Sequence, residues 1–303
     1  MSTVASTHPD LLPEEVRQLA EQAVGHIAAW TDASWDRDSS RVWRADGVQE
    51  GVWYVKIHQN TRFHQREVDA YCSWVLSLGT AAPTLVTADS ALRAVVITAV
   101  PGRPLHGIAH PPEQQQLLFH QIGALAADIH RSAAPLPAEE GVPALAKVER
   151  HLEAARPYLH PRDEEFIRQI VARAEDVPPL DRVPTHGDFQ LRNLLLDGNG
   201  SLAVIDFERS EPGPAIRDLV RLADAWATQP GLHDAFMSGY GRALTPAEDE
   251  RFVVDSTLDA LSGIQYGATH ADAETQERGH RTLARLRSQG RNGRTTSNGG
   301  TRA

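Results

Sequence analysis

The stretch from Thr185 to Glu208, THGDFQLRNLLLDGNGSLAVIDFE, constrains this 303-residue chain more than any other. LLLD (194–197) and SLAVIDF (201–207) read as two short strands joined at Asp197-Gly198-Asn199-Gly200. Asp-Gly and Asn-Gly pairs between apolar runs signal a tight hairpin. Such a hairpin brings Asn193 and Asp206 to the same end of adjacent strands, where both can hold one hard cation. Magnesium takes a few protein oxygens, and phosphate and water complete its octahedron. Asp188, on the loop before the hairpin, is left to face a hydroxyl.

This is a phosphoryl-transfer layout: a loop aspartate takes the hydroxyl proton, while an asparagine and a later aspartate bind metal. Each polar residue taken singly also suits a turn or a cap of an ordinary hairpin. All of them in this order, with glycines at the turn, favour the chemical reading. A metallophosphoesterase would need His-rich clusters on both sides for a two-metal clamp, and no such segment follows Gly187-Asp188.

An apolar content of 41% without a run of about 18 apolar residues argues against a membrane span. The start, MSTVASTHPDLLPEE, lacks a secretory pattern, and the one cysteine, Cys72, forms no internal disulfide. Both fit a cytoplasmic protein, monomeric or homodimeric. The net charge is −10 and uneven: residues 278–303 hold seven arginines and no acid. Removing those seven from the 30 basic residues leaves 23 against 40 acidic, a net of −17. Such a body disfavours nucleic acid and favours a small cationic partner.

Residues 13–29 predict an amphipathic helix, with Pro13 in its first turn and Val16, Leu19, Ala20, Ala23, Val24 and Ile27 as its apolar stripe. RVWRA and VWYVKIH then read as strands around the turn Asp46-Gly47. Alternation puts Trp53, Val55 and Ile57 on one face and Tyr54, Lys56 and His58 on the other. The following helix, capped by Thr61 and closed by Gly79, carries Glu67 within the apolar stripe Phe63, Ala70, Tyr71, Trp74 and Leu78. A carboxylate there requires a partner, and Lys56 on the preceding strand is the candidate. TLVTAD (84–89) and RAVVITAV (93–100) predict a second hairpin, stopped at Pro101-Gly102-Arg103-Pro104.

HGDFQLRN followed by IDFE resembles the aminoglycoside phosphotransferases, relatives of protein kinases and of choline and homoserine kinases. The resemblance extends from about residue 35 to about 288. It implies an α+β, bilobal, protein-kinase-like fold with a small antiparallel-sheet lobe (1–100) and a larger helical lobe (101–288). Residues 289–303, polar and glycine-rich, are expected to be disordered. By resemblance, Lys56 set by Glu67 steadies the phosphates of ATP, with GTP as the other nucleotide. Ser39 and Ser40, in a phosphate loop without the usual glycines, and the backbone of Thr98 and Val100 at the hinge complete the nucleotide site. Asp188 is the expected catalytic base, and Asn193 and Asp206 the Mg²⁺ ligands. His186 and Asp218, the latter in RDLVRL, support the loop.

After the hinge the pattern is helical: 115–131, 144–156, 162–176, 216–227, 232–241, 246–264 capped by Thr245, and 272–288. Glu208, Glu211, Asp224, Asp255 and Asp259 are candidates for binding ammonium groups of an acceptor. The implied activity is phosphorylation of a hydroxyl on a small, cationic molecule, an aminoglycoside or related antibiotic first. A choline-, homoserine- or sugar-like acceptor, and a nucleotide-binding regulator without catalysis, remain open at this stage.

Overall fold

The structure, a computed structural model, describes residues 12–34, 41–138, 144–174, 176–227 and 229–296. Helix α1 (Glu14–Val24) is followed by strands β1 (Ile27–Asp32), β2 (Val42–Gly47) and β3 (Val52–Ile57), then by helix α2 (Thr61–Ser73). Strands β4 (Leu85–Asp89) and β5 (Ala94–Thr98) complete an antiparallel five-stranded sheet in the order β1-β2-β3-β5-β4. Val16 and Ala20 of α1 pack with Trp43, Val55, Ile57, Ala94 and Val96 of this sheet.

The predicted helix over 13–29 is shorter than expected. Gly25 adopts φ 85°, its amide bonds the Glu21 carbonyl at 2.9 Å, and the chain leaves the helix there. Ile27 then starts a strand the periodicity had assigned to the helix. Ile, Trp and Thr suit a pleated surface, so the local propensity agrees with the outcome. The cap of α2 also moves by one residue: the Asn60 side chain, not Thr61, accepts the Phe63 amide at 3.0 Å. Gly79 lies beyond the end of α2, inside a 3₁₀ stretch over Val75–Ala81, with φ 56°.

A second, three-stranded sheet is made of β6 (Arg103–Pro104), β8 (Leu194–Leu196) and β9 (Leu202–Val204), with β7 (Val183–Thr185) leading into His186. Arg103 pairs with Leu196 and Pro104 with Leu195. Gly102, at φ 125°, permits this approach, since a Cβ there would lie 2.9 Å from the Leu196 carbonyl carbon. The chain divides into two compact units: one runs through Ala109 and includes His186–Glu211, and the other takes His110–Thr185 and Pro212 onward. The hairpin that carries Asn193 and Asp206 thus belongs to the strand-rich unit, held there in part by its ladder with β6.

The second unit is helical: α3 (Pro112–Arg131), α4 (Ala144–Ala155), α5 (Pro161–Ala174), α6 (Leu219–Trp226), α7 (Pro230–Tyr240), α8 (Pro246–His270) and α9 (Ala273–Thr296). One of its core clusters joins Val148 and Leu152 of α4, Ile167 of α5, Leu261 and Ile264 of α8 and Leu283 of α9. Thr245 and Glu248 cap α8 reciprocally, fixing its start where Pro246 also requires it. Helices α8 and α9 run past the predicted ends at 264 and 288, because each added residue of an established helix gains a hydrogen bond. Residues 297–303 of the expected disordered tail lie outside the described residues. No helix among the described residues is long and apolar enough to cross a membrane.

Helices α3 and α7 meet at glycines. A Cβ on Gly123 would strike the Phe236 carbonyl, and one on Gly239 the His120 carbonyl, both fixed backbone. Gly123→Ala should therefore destabilise the protein by about 2 kcal/mol through overpacking. Chemical denaturation checks this, and an unchanged midpoint would place the two helices farther apart.

Candidate active site

The hairpin turn is built by its own side chain: Asp197 Oδ1 accepts the amides of Asn199 and Ser201, each at 2.8 Å, and Gly200 takes φ 83°. Leu194, Leu195 and Leu196 of β8 pair with Val204, Ala203 and Leu202 of β9. The Ile205 amide donates to the Asn193 carbonyl at 3.0 Å, which places Asn193 beside the residues that enter Asp206. Asp206 itself has φ 73°, a left-handed conformation that costs a non-glycine residue of order 1 kcal/mol. The next residue explains why it persists. Phe207 is fully buried, edge-on to Tyr71 of α2 and to Trp74 at the C-terminal cap of α2, at 5.4 Å each, and against the His186 ring at 4.9 Å.

With Phe207 anchored, Asp206 and Glu208 both reach Lys56. Lys56 Nζ contacts Asp206 Oδ1, lies 3.0 Å from Glu67 Oε2 and 3.1 Å from Glu208 Oε2, and is 13% exposed. Burial works against this ammonium, but Asp206, Glu67 and Glu208 outweigh it and hold its pKa well above the ordinary lysine value. Glu67 has no exposed surface. Burial would raise its pKa, yet Lys56 and His58 pull it down to about 2. The His58 ring spans this carboxylate and the Arg93 carbonyl, the latter at 3.1 Å from Nδ1. Glu208 moves the opposite way: burial, then repulsion from Asp206 and Glu67, raises its pKa despite the pull of Lys56.

Asp188 is 3% exposed and its carboxylate is held by neighbours in its own loop. Gln190 donates to Oδ1 at 2.5 Å, Arg192 to Oδ2 at 2.9 Å, and Asn193 Nδ2 to Oδ2 at 3.3 Å. Asn193 Nδ2 also donates to the Asp188 carbonyl at 2.9 Å, which turns its Oδ1 the other way on the planar amide. His186 is fully buried; its Nε2–H donates to the Ile205 carbonyl at 2.9 Å and its Nδ1 accepts the Asp188 amide at 3.2 Å. Both ring nitrogens thus meet backbone, one on the loop and one on the hairpin. Gly187, at φ 77°, lets the loop pass the Arg209 carbonyl, where a Cβ would collide.

Lys56, Glu67, Asp188, Asn193, Asp206 and His186 all fall within the strand-rich unit. Ser39 and Ser40 lie outside the described residues. Thr98 ends β5; its amide bonds the Thr84 carbonyl and its Oγ1 accepts the Thr84 amide, each at 2.9 Å. The Val100 amide makes no hydrogen bond to a described residue. Asp218 belongs to the helical unit, 1% exposed, with His130 Nε2 at 3.2 Å from its carboxylate and the Tyr240 hydroxyl 2.9 Å from His130 Nδ1.

The acidic residues singled out for an acceptor are otherwise occupied. Glu208 is on Lys56 and Glu211 on Arg66. Asp224 pairs with Arg281 at 3.1 Å, Asp255 with Arg251 at 2.9 Å, and Asp259 with Arg221 at 2.9 Å and Arg278 at 3.2 Å. Sequence reasoning missed Glu208 as a partner of Lys56, although i, i+2 alternation across a buried Phe207 carries that signal. It also missed Gln190 and Arg192 on Asp188, and the contact of His58, the residue after β3, with Glu67.

A hard divalent cation fits the donors present. Asn193 offers an amide oxygen and Asp206 a carboxylate, both oxygen ligands of the kind magnesium takes. Among the described residues no cluster of three or more His, Cys, Asp or Glu suits a metal held by protein alone.

The fold is that of kinase-like phosphotransferases. Choline kinase LicA from Streptococcus pneumoniae aligns with a TM-score of 0.66 at 16% identity, over 91% of this chain and 99% of that one. Macrolide 2′-phosphotransferase MphH from Brachybacterium faecium gives 0.63 at 16%, over 90% and 98%. The GDP complex of wild-type aminoglycoside 2′-phosphotransferase-IIIa gives 0.66 at 14%, over 91% and 98%. At these identities the likeness is one of fold. No curated protein matches the sequence. Residues 29–252 match the phosphotransferase enzyme family, APH, and the chain belongs to it.

Because the Glu67 pKa lies below its ordinary 4.5, its contribution to stability is present above that value and is lost as pH falls toward about 2. Glu67→Gln should cost about 3 kcal/mol at neutral pH, the range for breaking a buried pair. The gap between wild type and variant should then narrow as pH drops from 4.5 to 2. Urea midpoints across that range test it, and a gap independent of pH would show that the charge on Glu67 contributes nothing.

Proposed function

We propose that the protein transfers the γ-phosphoryl group of ATP, or of GTP, to a hydroxyl of a small molecule. The observation that carries this reading is the grouping of Asp188, Asn193 and Asp206 around one hairpin, with Lys56 joined to Asp206. Asp188 orients the acceptor hydroxyl and takes up its proton. The acceptor oxygen bonds to the γ-phosphorus as the bridging P–O bond breaks, and the nucleoside diphosphate leaves. Lys56, set by Glu67, steadies the phosphates, and Asn193 and Asp206 would hold Mg²⁺. When bound, that ion neutralises charge on the phosphate oxygens. The rest is positioning and electrostatic preorganisation.

His186 ties the loop to the hairpin backbone, and Asp218, bound by His130, is the second support of the loop in this reading. Ser39, Ser40 and the backbone of Thr98 and Val100 complete the nucleotide site in this reading. The Val100 amide, which makes no hydrogen bond to a described residue, supports a backbone contact to the base. Nucleotide use is supported by relatives solved with GDP.

An aminoglycoside or related antibiotic is the acceptor class to test first, with resistance or self-protection as the role. The fold neighbours include aminoglycoside and macrolide phosphotransferases. A metabolite kinase acting on a choline- or sugar-like hydroxyl is the second reading. It is favoured by the arginine partners of Asp224, Asp255 and Asp259, which weaken the case for a polycationic acceptor.

A transfer assay with ATP and GTP over aminoglycosides, macrolides and amino-alcohols tests the activity. Phosphate transfer to none of them, with nucleotide binding intact, would overturn it. Asp188→Asn should lower turnover at least about 100-fold, the usual scale of a lost acid–base group, while nucleotide affinity stays within about twofold. Asp206→Ala should remove the Mg²⁺-dependent part of nucleotide binding in calorimetry with and without the ion. Equal binding in both arms would take Asp206 out of the metal site.

A further inference from the structure

The charges around the hairpin do not balance toward a phosphoryl group. Lys56 is shared by Glu67, Glu208 and Asp206, so its one positive charge meets three carboxylates. Asp188 adds a fourth. A transferring phosphoryl group carries its own negative charge on three equatorial oxygens and needs cations around them. Arg192 stands in a different position from Lys56. Its ion pair among the described residues is with Asp188, through one guanidinium nitrogen at 2.9 Å. A guanidinium has five N–H donors in a rigid fork suited to phosphate, and the others on Arg192 meet no described residue. The pair is also uneven: the Asp188 side chain is 3% exposed and that of Arg192 28%. The cation is therefore the accessible half. It sits next in sequence to Asn193, whose side chain donates to the same Asp188 carboxylate.

We propose that Arg192 is a further catalytic residue, holding the Asp188 carboxylate with one nitrogen while the rest of its guanidinium stabilises the transferring phosphoryl group. This rests on the reading that Asp188 faces the acceptor hydroxyl. Gln190 holds the other Asp188 oxygen at 2.5 Å, so the carboxylate keeps its orientation as the arginine shares itself with the phosphoryl oxygens. The alternative is an i, i+4 ion pair that only stiffens the loop, and the two differ in what the arginine does to a planar phosphoryl mimic.

The test is calorimetric and uses the full chain with Mg²⁺. ADP and GDP are titrated alone and with fluoroaluminate, which stands in for the phosphoryl group in flight, into wild type, Arg192→Ala and Arg192→Lys. Wild type should bind the nucleotide more tightly with fluoroaluminate than without. Arg192→Ala should bind the bare nucleotide within about twofold of wild type yet lose at least about tenfold of the fluoroaluminate gain, and Arg192→Lys should recover part of it. A gain that survives in Arg192→Ala overturns the proposal. So does equal loss with and without fluoroaluminate, which would make the residue part of the fold or of nucleotide binding. A wild type that binds nucleotide with no fluoroaluminate gain removes the role of Arg192 alone. A wild type that binds neither nucleotide removes the phosphotransferase reading with it.

Discussion

A glutamate with no exposed surface stays ionised only if cations beside it replace the water it has lost. Glu67 has Lys56 at 3.0 Å and the His58 ring against the same oxygen, and this pairing fixes more than two side chains. It ties α2 to β3, since Glu67 is on the helix and Lys56 on the strand. It holds the lysine nitrogen where Asp206 and Glu208 also meet it. Tyr71, one helical turn beyond Glu67, contributes the aromatic face against which Phe207 is anchored. The strained backbone at Asp206 is thus fixed from both sides, by its carboxylate on Lys56 and by its neighbour in the core. Removal of the Glu67 charge loosens all of these together.

The parts of this arrangement that could be read from sequence are those with a local cause. Asp197-Gly198-Asn199-Gly200 encodes its own turn, so the hairpin and the proximity of Asn193 to Asp206 followed without tertiary information. Lys56 and Glu67 were legible because each interrupts an apolar pattern and neither tolerates burial alone. β1 was not, because Ile27 continues the helical stripe of α1 and only Gly25, at positive φ, and His26 separate the two. Asn60 and Thr61 are both competent caps, and the choice between them depends on how the chain leaves β3. Arg192 and Gln190 carry no periodic signal at all. They reach Asp188 through the irregular loop and 3₁₀ turn over 189–193, whose path no pattern of 2 or 3.6 residues describes.

The charge asymmetry of the sequence changes meaning once the chain is folded. An acidic body of net −17 and a basic end suggested a surface waiting for a cationic ligand. Three arginines of α9 instead return to acids of their own unit: Arg278 to Asp259, Arg281 to Asp224 and Arg287 to Asp163. Charges joined in this way have little field left at distances beyond the screening length of about 10 Å in 0.1 M salt. Electrostatic attraction of an acceptor therefore has to come from carboxylates that keep their charge uncompensated, not from the total. Around the hairpin the negative charge is in excess, with Glu67, Asp206 and Glu208 on one lysine. That excess is suited to a bound divalent cation more than to an organic ammonium group, because Asp206 and Asn193 offer it oxygens directly. In the proposed phosphoryl transfer, the same excess leaves Arg192, whose remaining donors meet no described residue, as the cation proposed to face the phosphoryl group beside Asp188.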